Sequence, residues 1–198
     1  MSTSFNQNNI SSSPTLSGVY QFKDARNNIL YVGKAKNLRL RLKSYLQPKD
    51  PKTASMLALA KTFEVVTVDN EIDALILEAN LIKKFLPKYN INFKDGKYYP
   101  FIKITKETFP KIYVARHLKA DGNRYFGPYP SGMDLKFILK YLRHVFPFCT
   151  HTHPYKSCLY FHLGLCPGPQ FSITKNTYRQ NIRKIVLFLE GKKQLVLK

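Results

Sequence analysis

Two mirrored tyrosine triplets, Gly18-Val19-Tyr20 and Tyr31-Val32-Gly33, constrain the fold more than any other feature of the chain. Each sits in an apolar run of strand character, Gly18 to Phe22 and Ile29 to Val32. The polar stretch between them, Lys23 to Asn28, has the composition of a hairpin loop. The two tyrosines can therefore lie on paired strands. A helix from Asn37 to Leu46 is predicted next, because Asn37 can cap it and Leu38, Leu42 and Tyr45 recur at helical spacing. Arg41 flanks that stripe one turn before Tyr45.

The remaining chain completes an α+β pattern. A turn-rich break, Gln47 to Lys52, precedes a second helical stretch, Thr53 to Lys61, then a strand, Phe63 to Thr67, and a helix from Glu71 to Leu86 that Pro87 ends. Strand-like runs follow at Tyr99–Ile104, Lys111–His117 and Arg124–Phe126, with Asp121-Gly122 as a turn. A helix over Asp134–Val145, a Pro-punctuated Cys/His segment and a basic amphipathic helix over Lys175–Glu190 close the chain. The predicted organisation is a disordered leader (1–15), a small antiparallel-sheet domain flanked by helices (16–98), a strand/helix extension (99–147), the Cys/His segment (148–170) and the basic helix (171–198).

Charge narrows the partner. In 198 residues, 32 Lys and Arg against 12 Asp and Glu give +20, which points to a polyanion and above all to nucleic acid. Residues 1–95 carry 14 basic and 8 acidic side chains, a net +6, whereas residues 96–198 carry 18 and 4, a net +14. The stronger electrostatic grip is therefore expected in the C-terminal half. No stretch sustains the basic amphipathic pattern of a lipid binder, and no apolar run reaches membrane-spanning length. Met1 to Ser13 lacks the charged start and apolar core of a secretory signal. With three cysteines, an odd number, this predicts a protein of the reducing cytoplasm.

Glu78 is the most informative carboxylate. On a helical wheel started at Ile72 it falls at about 240°, between Phe85 and Ile82, away from the polar face around Asp73, Asn80 and Lys84. A carboxylate on an apolar-flanked side needs a compensating cation, either a divalent metal or a lysine or arginine partner. The tyrosines have a plain reading as core residues with bonded hydroxyls. Lys36, Arg39 and Lys43 share the opposite face of the first helix, as a solvated face or as phosphate contacts.

These motifs, together with Tyr31 to Leu38, Leu77 to Lys84, Pro87-Lys88-Tyr89-Asn90 and Arg124 to Tyr129, resemble the GIY-YIG nuclease family, in the branch found at the N-terminus of UvrC-type excinucleases. The resemblance runs from about Ser17 to the chain's end. It implies a metal-dependent DNA endonuclease of nucleotide excision repair, cutting the backbone 3′ to a lesion, with DNA and excinuclease subunits A and B as partners. Glu78 then occupies the position of the metal-binding glutamate, for Mg2+ or Mn2+. Tyr20 or Tyr31 becomes the general base or orients the attacking water, with Tyr31 preferred and Lys34 expected beside it to favour the phenolate. Arg41 would stabilise the pentavalent phosphate, and Tyr45 and Asn90 would help to position phosphate or water. Such proteins continue into a segment that contacts the damage-recognition subunit, a second nuclease domain and helix-hairpin-helix motifs, none of which falls within these residues. The alternatives are a stand-alone GIY-YIG endonuclease acting on another DNA structure, or a DNA-binding module with a vestigial site.

Cys158 to Pro169 resembles the family segment that contributes cysteines to an iron-sulfur cluster, but with departures. Gln170 stands where the family has a further cysteine, and the family's first cysteine falls near His151, two places after Cys149. Three outcomes are open: a cluster with altered ligation, a Zn2+ site of Cys149, His151, Cys158 and Cys166 with His153 or His162 as alternates, or ordinary thiols.

Overall fold

A computed structural model describes residues 3–90, 99–150, 158–168 and 173–196. The chain divides into two compact units, Met1–Lys97 and Tyr98–Lys198. The extension, Cys/His segment and basic helix expected separately after residue 98 thus share one unit.

The first unit is built on a four-stranded antiparallel sheet of order β1-β4-β2-β3, with β1 at Thr3–Ser4, β2 at Gly18–Lys23, β3 at Ile29–Ala35 and β4 at Thr62–Thr67. Its helices are α1 (Gln7–Ser11), α2 (Leu38–Lys43), α3 (Pro51–Leu59) and α4 (Glu71–Phe85). Alternation along the central strand β2 sends side chains to two different cores. Tyr20 and Phe22 join Leu38, Leu42, Tyr45, Met56 and Phe63 on one face. Val19 and Val32 meet Ala74 and Ile82 of α4 on the other.

Capping explains where the helices start. The Asn37 side chain accepts from Leu40 N, as the sequence predicts, and the Asn70 side chain accepts from the amides of Ile72 and Asp73 at the head of α4. The helix expected over Asn37–Leu46 tightens after Lys43 into a 3-10 turn, Ser44–Leu46, that carries Tyr45 inward. Residues 51 and 52 leave the expected loop for α3, because the Asp50 carboxylate caps Thr53 N and Pro51 is compatible with the first helical turn.

The N-terminal segment, expected as a disordered leader, is instead folded onto the sheet. Thr3 and Ser4 pair with Phe63 and Thr62, Asn6 caps α1, and Ile10 is fully buried in the tyrosine-side core. The polar composition of this segment conceals an apolar pair, Phe5 and Ile10, which is enough to dock it. Docking also serves α2: Pro14 O and Leu16 O accept from the amides of Arg39 and Leu38, and Ser13 O accepts from Arg39 Nε at 2.7 Å.

The second unit has a three-stranded antiparallel sheet of order β6-β5-β7, formed by β5 (Phe101–Ile104), β6 (Ile112–Ala115) and β7 (Arg124–Phe126). With it are helices α5 (Gly132–Val145), α6 (Leu159–His162) and α7 (Lys175–Leu189). Helix α7 is tied in at both ends. The Tyr178 hydroxyl donates to Pro110 O at 2.6 Å and accepts from Cys149 N, while Glu190 pairs with Arg124 at 2.7 Å. No helix among the described residues is long and apolar enough to cross a membrane.

Candidate active site

Strand register explains the two triplets. Tyr20 lies directly opposite Gly33, and Phe22 opposite Tyr31, so Tyr20, Tyr31 and Gly33 share one face of the sheet. The Tyr20 ring crosses Gly33 so closely that a Cβ there would lie 2.5 Å from Tyr20 Cζ and 2.8 Å from Tyr31 Cε1. Gly33 is therefore what lets two tyrosines occupy adjacent positions, with ring centroids 6.1 Å apart.

The 3-10 turn brings Tyr45 to the same place, with its hydroxyl 2.7 Å from that of Tyr20. Helix α2 adds Arg41, whose Nε donates to the Tyr20 hydroxyl at 3.1 Å while the guanidinium lies 5.2 Å from the centre of the Tyr45 ring. Residues from four elements thus form one wall of three phenols and a cation, with Tyr20 bonded to both Tyr45 and Arg41. Burial pushes the Tyr20 and Tyr31 hydroxyls well above the usual phenol value of 10.0. Tyr31 and Tyr45 push Tyr20 the same way, Tyr45 and the Glu78 charge do so at Tyr31, and Arg41 pulls both back. Both are protonated at neutral pH.

Lys34 is placed differently from expectation. It stands three residues after Tyr31 on a regular stretch of β3 and so on the opposite face, in register with Val19. The cation that faces the tyrosine hydroxyls is Arg41. What Lys34 offers through its backbone is an amide that donates to Glu78 Oε1 at 3.0 Å. This fixes Glu78, only 5% exposed on α4, against the edge strand β3.

Asn90 makes a two-point clamp on the same strand. Its Oδ1 accepts from Val32 N and its Nδ2 donates to Val32 O, both at 2.7 Å. The amide pairs with the edge of β3 as another strand would, holding Tyr31 and Gly33 on either side of Val32. Of the face expected to be solvated or in contact with phosphate, Lys36 and Lys43 are exposed, Lys36 in a surface pair with Glu71 at 2.9 Å, while Arg39 is held by donating to Ser13 O.

An open cleft of about 460 Å³ adjoins the tyrosine wall. Tyr31, Arg41 and Tyr45 line it, and Lys49, Lys52 and Tyr89 are among its other lining residues. Sequence reasoning assigns none of those last three a role. The available signal is two lysines in the break that directly follows the Arg41 and Tyr45 helix.

In the second unit, the Cys149 and Cys166 thiols lie 3.0 Å apart and are buried. Their mutual hydrogen bond and burial push the Cys149 thiol up. Arg143 sits between the rings of Phe148, at 4.2 Å, and Tyr160, at 4.3 Å, and donates to Phe148 O. Among the described residues no three His, Cys, Asp or Glu side chains converge as a metal set. His151, and the alternate His153, lie outside the described residues.

The tyrosine pair across a hairpin, the helix arginine and the helix glutamate define a GIY-YIG nuclease domain, and residues 16–91 match the family model described as the UvrC-like GIY-YIG domain. Residues 99–188 match the UvrC/Cho excinuclease middle domain. The chain belongs to the UvrC family, as the N-terminal GIY-YIG domain plus the middle domain.

Similar proteins include the UvrABC system protein C of Carboxydothermus hydrogenoformans, 44% identical over 93% of this chain and 32% of that protein. That of Streptococcus gordonii is 43% identical over 93% and 31%. The chain thus spans about a third of the length of the curated relatives it matches. A solved structure, the GIY-YIG N-terminal endonuclease domain of UvrC from Thermotoga maritima bound to its catalytic divalent cation, magnesium, is 46% identical. It covers 42% of this chain and 93% of that one, with a TM-score of 0.41.

Proposed function

We propose that the first unit hydrolyses a DNA phosphodiester with a divalent cation, making the incision 3′ to a lesion in nucleotide excision repair. The observation that carries this reading is the hydrogen-bonded wall of Tyr20, Tyr45 and Arg41, with Tyr31 beside them and buried Glu78 held at the edge of the same strand. The donor set fits magnesium, the cation that the Thermotoga domain carries. A single carboxylate is enough for an ion that keeps several waters and takes further oxygens from the substrate. Glu78 would hold it, and when bound the cation would offset charge on the phosphoryl oxygens and acidify a water.

The chain's own residues do the rest. Arg41, already oriented by Tyr20 and the Tyr45 ring, donates to the phosphoryl oxygens as charge builds in the transition state. Tyr31 receives a hydrogen bond from the attacking water and orients it. Its raised pKa makes it a neutral hydroxyl rather than a resting phenolate. Tyr20 and Tyr45 lock the wall, and Asn90 holds the strand that presents Tyr31. DNA and excinuclease subunits A and B are the proposed partners, in the cytoplasm. The net +14 of residues 96–198 supports DNA contact by the second unit.

The test is incision of a duplex carrying one bulky lesion, in the presence of subunits A and B and magnesium. A single magnesium-dependent nick on the 3′ side is expected. No nick although the chain is bound at the lesion, as read by footprinting, contradicts the proposal, and nicking of undamaged branched DNA without the subunits would favour a stand-alone endonuclease.

A further inference from the structure

The cleft beside the tyrosine wall has no part in the chemistry just described. Its location and lining suit a specific piece of the substrate. One wall is the proposed catalytic surface itself, Tyr31, Arg41 and Tyr45, so whatever fills the cleft is continuous with the reacting phosphodiester. The lining also carries Lys49 and Lys52, exposed lysines that form no ion pair among the described residues, with the Asp50 carboxylate between them in sequence. Met56, 3% exposed, is an apolar lining residue, and half-buried Tyr89 adds an aromatic surface. The first turn of α3 is not an anion site in its own right, because the Asp50 carboxylate already occupies its Thr53 amide. The positive charge of this lining beyond Arg41 therefore comes from the two lysine side chains.

A volume of about 460 Å³ holds one sugar-phosphate unit with its base and is far too small for a duplex. We infer that this cleft is a subsite for the nucleotide of the cleaved strand next to the scissile phosphate, with Lys49 and Lys52 gripping that nucleotide's phosphate. The inference rests on the nuclease reading above and assigns the strand a path from the tyrosine wall toward α3. Tyr89 and Met56 offer its sugar and base an apolar, aromatic surface, which tolerates any base and so gives grip without sequence preference. The strand is thereby held at the attacked phosphate by Arg41 and at its neighbour by the lysines, so the lysines act in binding and Arg41 in the chemical step.

Chemical coupling between substrate and protein tests this. Lesion duplexes carry a neutral methylphosphonate at one backbone position at a time around the incision site. Binding of the chain with subunits A and B is followed by fluorescence anisotropy, with calcium in place of magnesium. One methylphosphonate adjacent to the scissile position should weaken binding by wild-type chain roughly 10-fold, and Lys49→Ala/Lys52→Ala should weaken binding of the unmodified duplex by a similar factor. The two losses should not add when combined, since both remove the same contact.

Additive losses, or equal weakening by a control pair of the same charge outside the cleft, Lys61→Ala/Lys83→Ala, would overturn the subsite. Absence of wild-type binding would overturn it as well. Incision in magnesium, measured on the same duplexes, reads the nuclease proposal separately: non-additive binding without any cutting would sink the nuclease and leave the grip.

Discussion

The tyrosine wall of the first unit and the cysteine pair of the second are both buried, bonded groups of reactive side chains, yet they have opposite chemical prospects. Around Tyr20 burial and the neighbouring phenols raise the pKa, and a cation stands against them. Arg41 donates to its hydroxyl, Tyr45 shares a hydrogen bond with it, Gly33 makes room for its ring, and Glu78 is anchored on the same edge strand. Around Cys149 the thiol meets a second thiol and a tyrosine, and its pKa rises. Arg41 bonds the tyrosine group directly and an open cleft adjoins it, whereas the two thiols bond each other inside a core. Reactive side chains brought together become a site only when the fold also leaves them open to a substrate.

The sharpest way to break this contrast is Glu78→Gln, which keeps the shape of the side chain and removes its charge. Magnesium-dependent incision should fall on the order of 10³-fold in single-turnover kinetics, with DNA binding preserved. Arg41→Ala should lower kcat roughly 10²-fold and change KM much less, since its interaction with the phosphate is made chiefly in the transition state. A loss of affinity alone would make Arg41 a clamp.

Gly33→Ala asks whether the close approach of the two tyrosines is needed at all. The added methyl must displace Tyr20, so denaturant unfolding should show a loss of about 1–3 kcal/mol. The smallest effect concerns protonation. Tyr20, Tyr31, Tyr129 and Tyr178 all have pKa values raised by burial above the unfolded value of 10.0. The folded chain holds these protons more tightly. Their contribution to stability is therefore present in full below about pH 10 and is lost as pH rises above it. Ultraviolet titration should show these phenols ionising only with alkaline unfolding, while exposed tyrosines titrate normally.

Much of the site could be read in the sequence because it depends on local rules. Two apolar runs with a polar gap gave the hairpin, Asn37 announced the cap of α2, and the wheel placed Glu78 off the polar face, where the structure buries it. The placement of Lys34 was also available and was missed: an odd separation from Tyr31 on one strand means opposite faces. Other features depend on contacts that no local pattern encodes. Asn90 clamps Val32 from 58 residues away, and Ile10 docks a segment whose composition is otherwise that of a loose tail. The cleft was hidden for the same reason, because Lys49 and Lys52 gain meaning only when α3 folds beside Tyr31 and Arg41.

Cation binding tests the central claim most directly, because it asks whether Glu78 holds the metal without requiring partners or turnover. Titrating Mn2+ into the wild-type chain and into Glu78→Gln, with free ion followed by electron paramagnetic resonance, reads the site itself. The structure predicts a binding event in the wild type that is lost or weakened at least about 10-fold in the variant, since a lone carboxylate supplies the protein's charge to the ion. Equal affinity in the two chains, with both folded by circular dichroism, would contradict it and return Glu78 to a structural role.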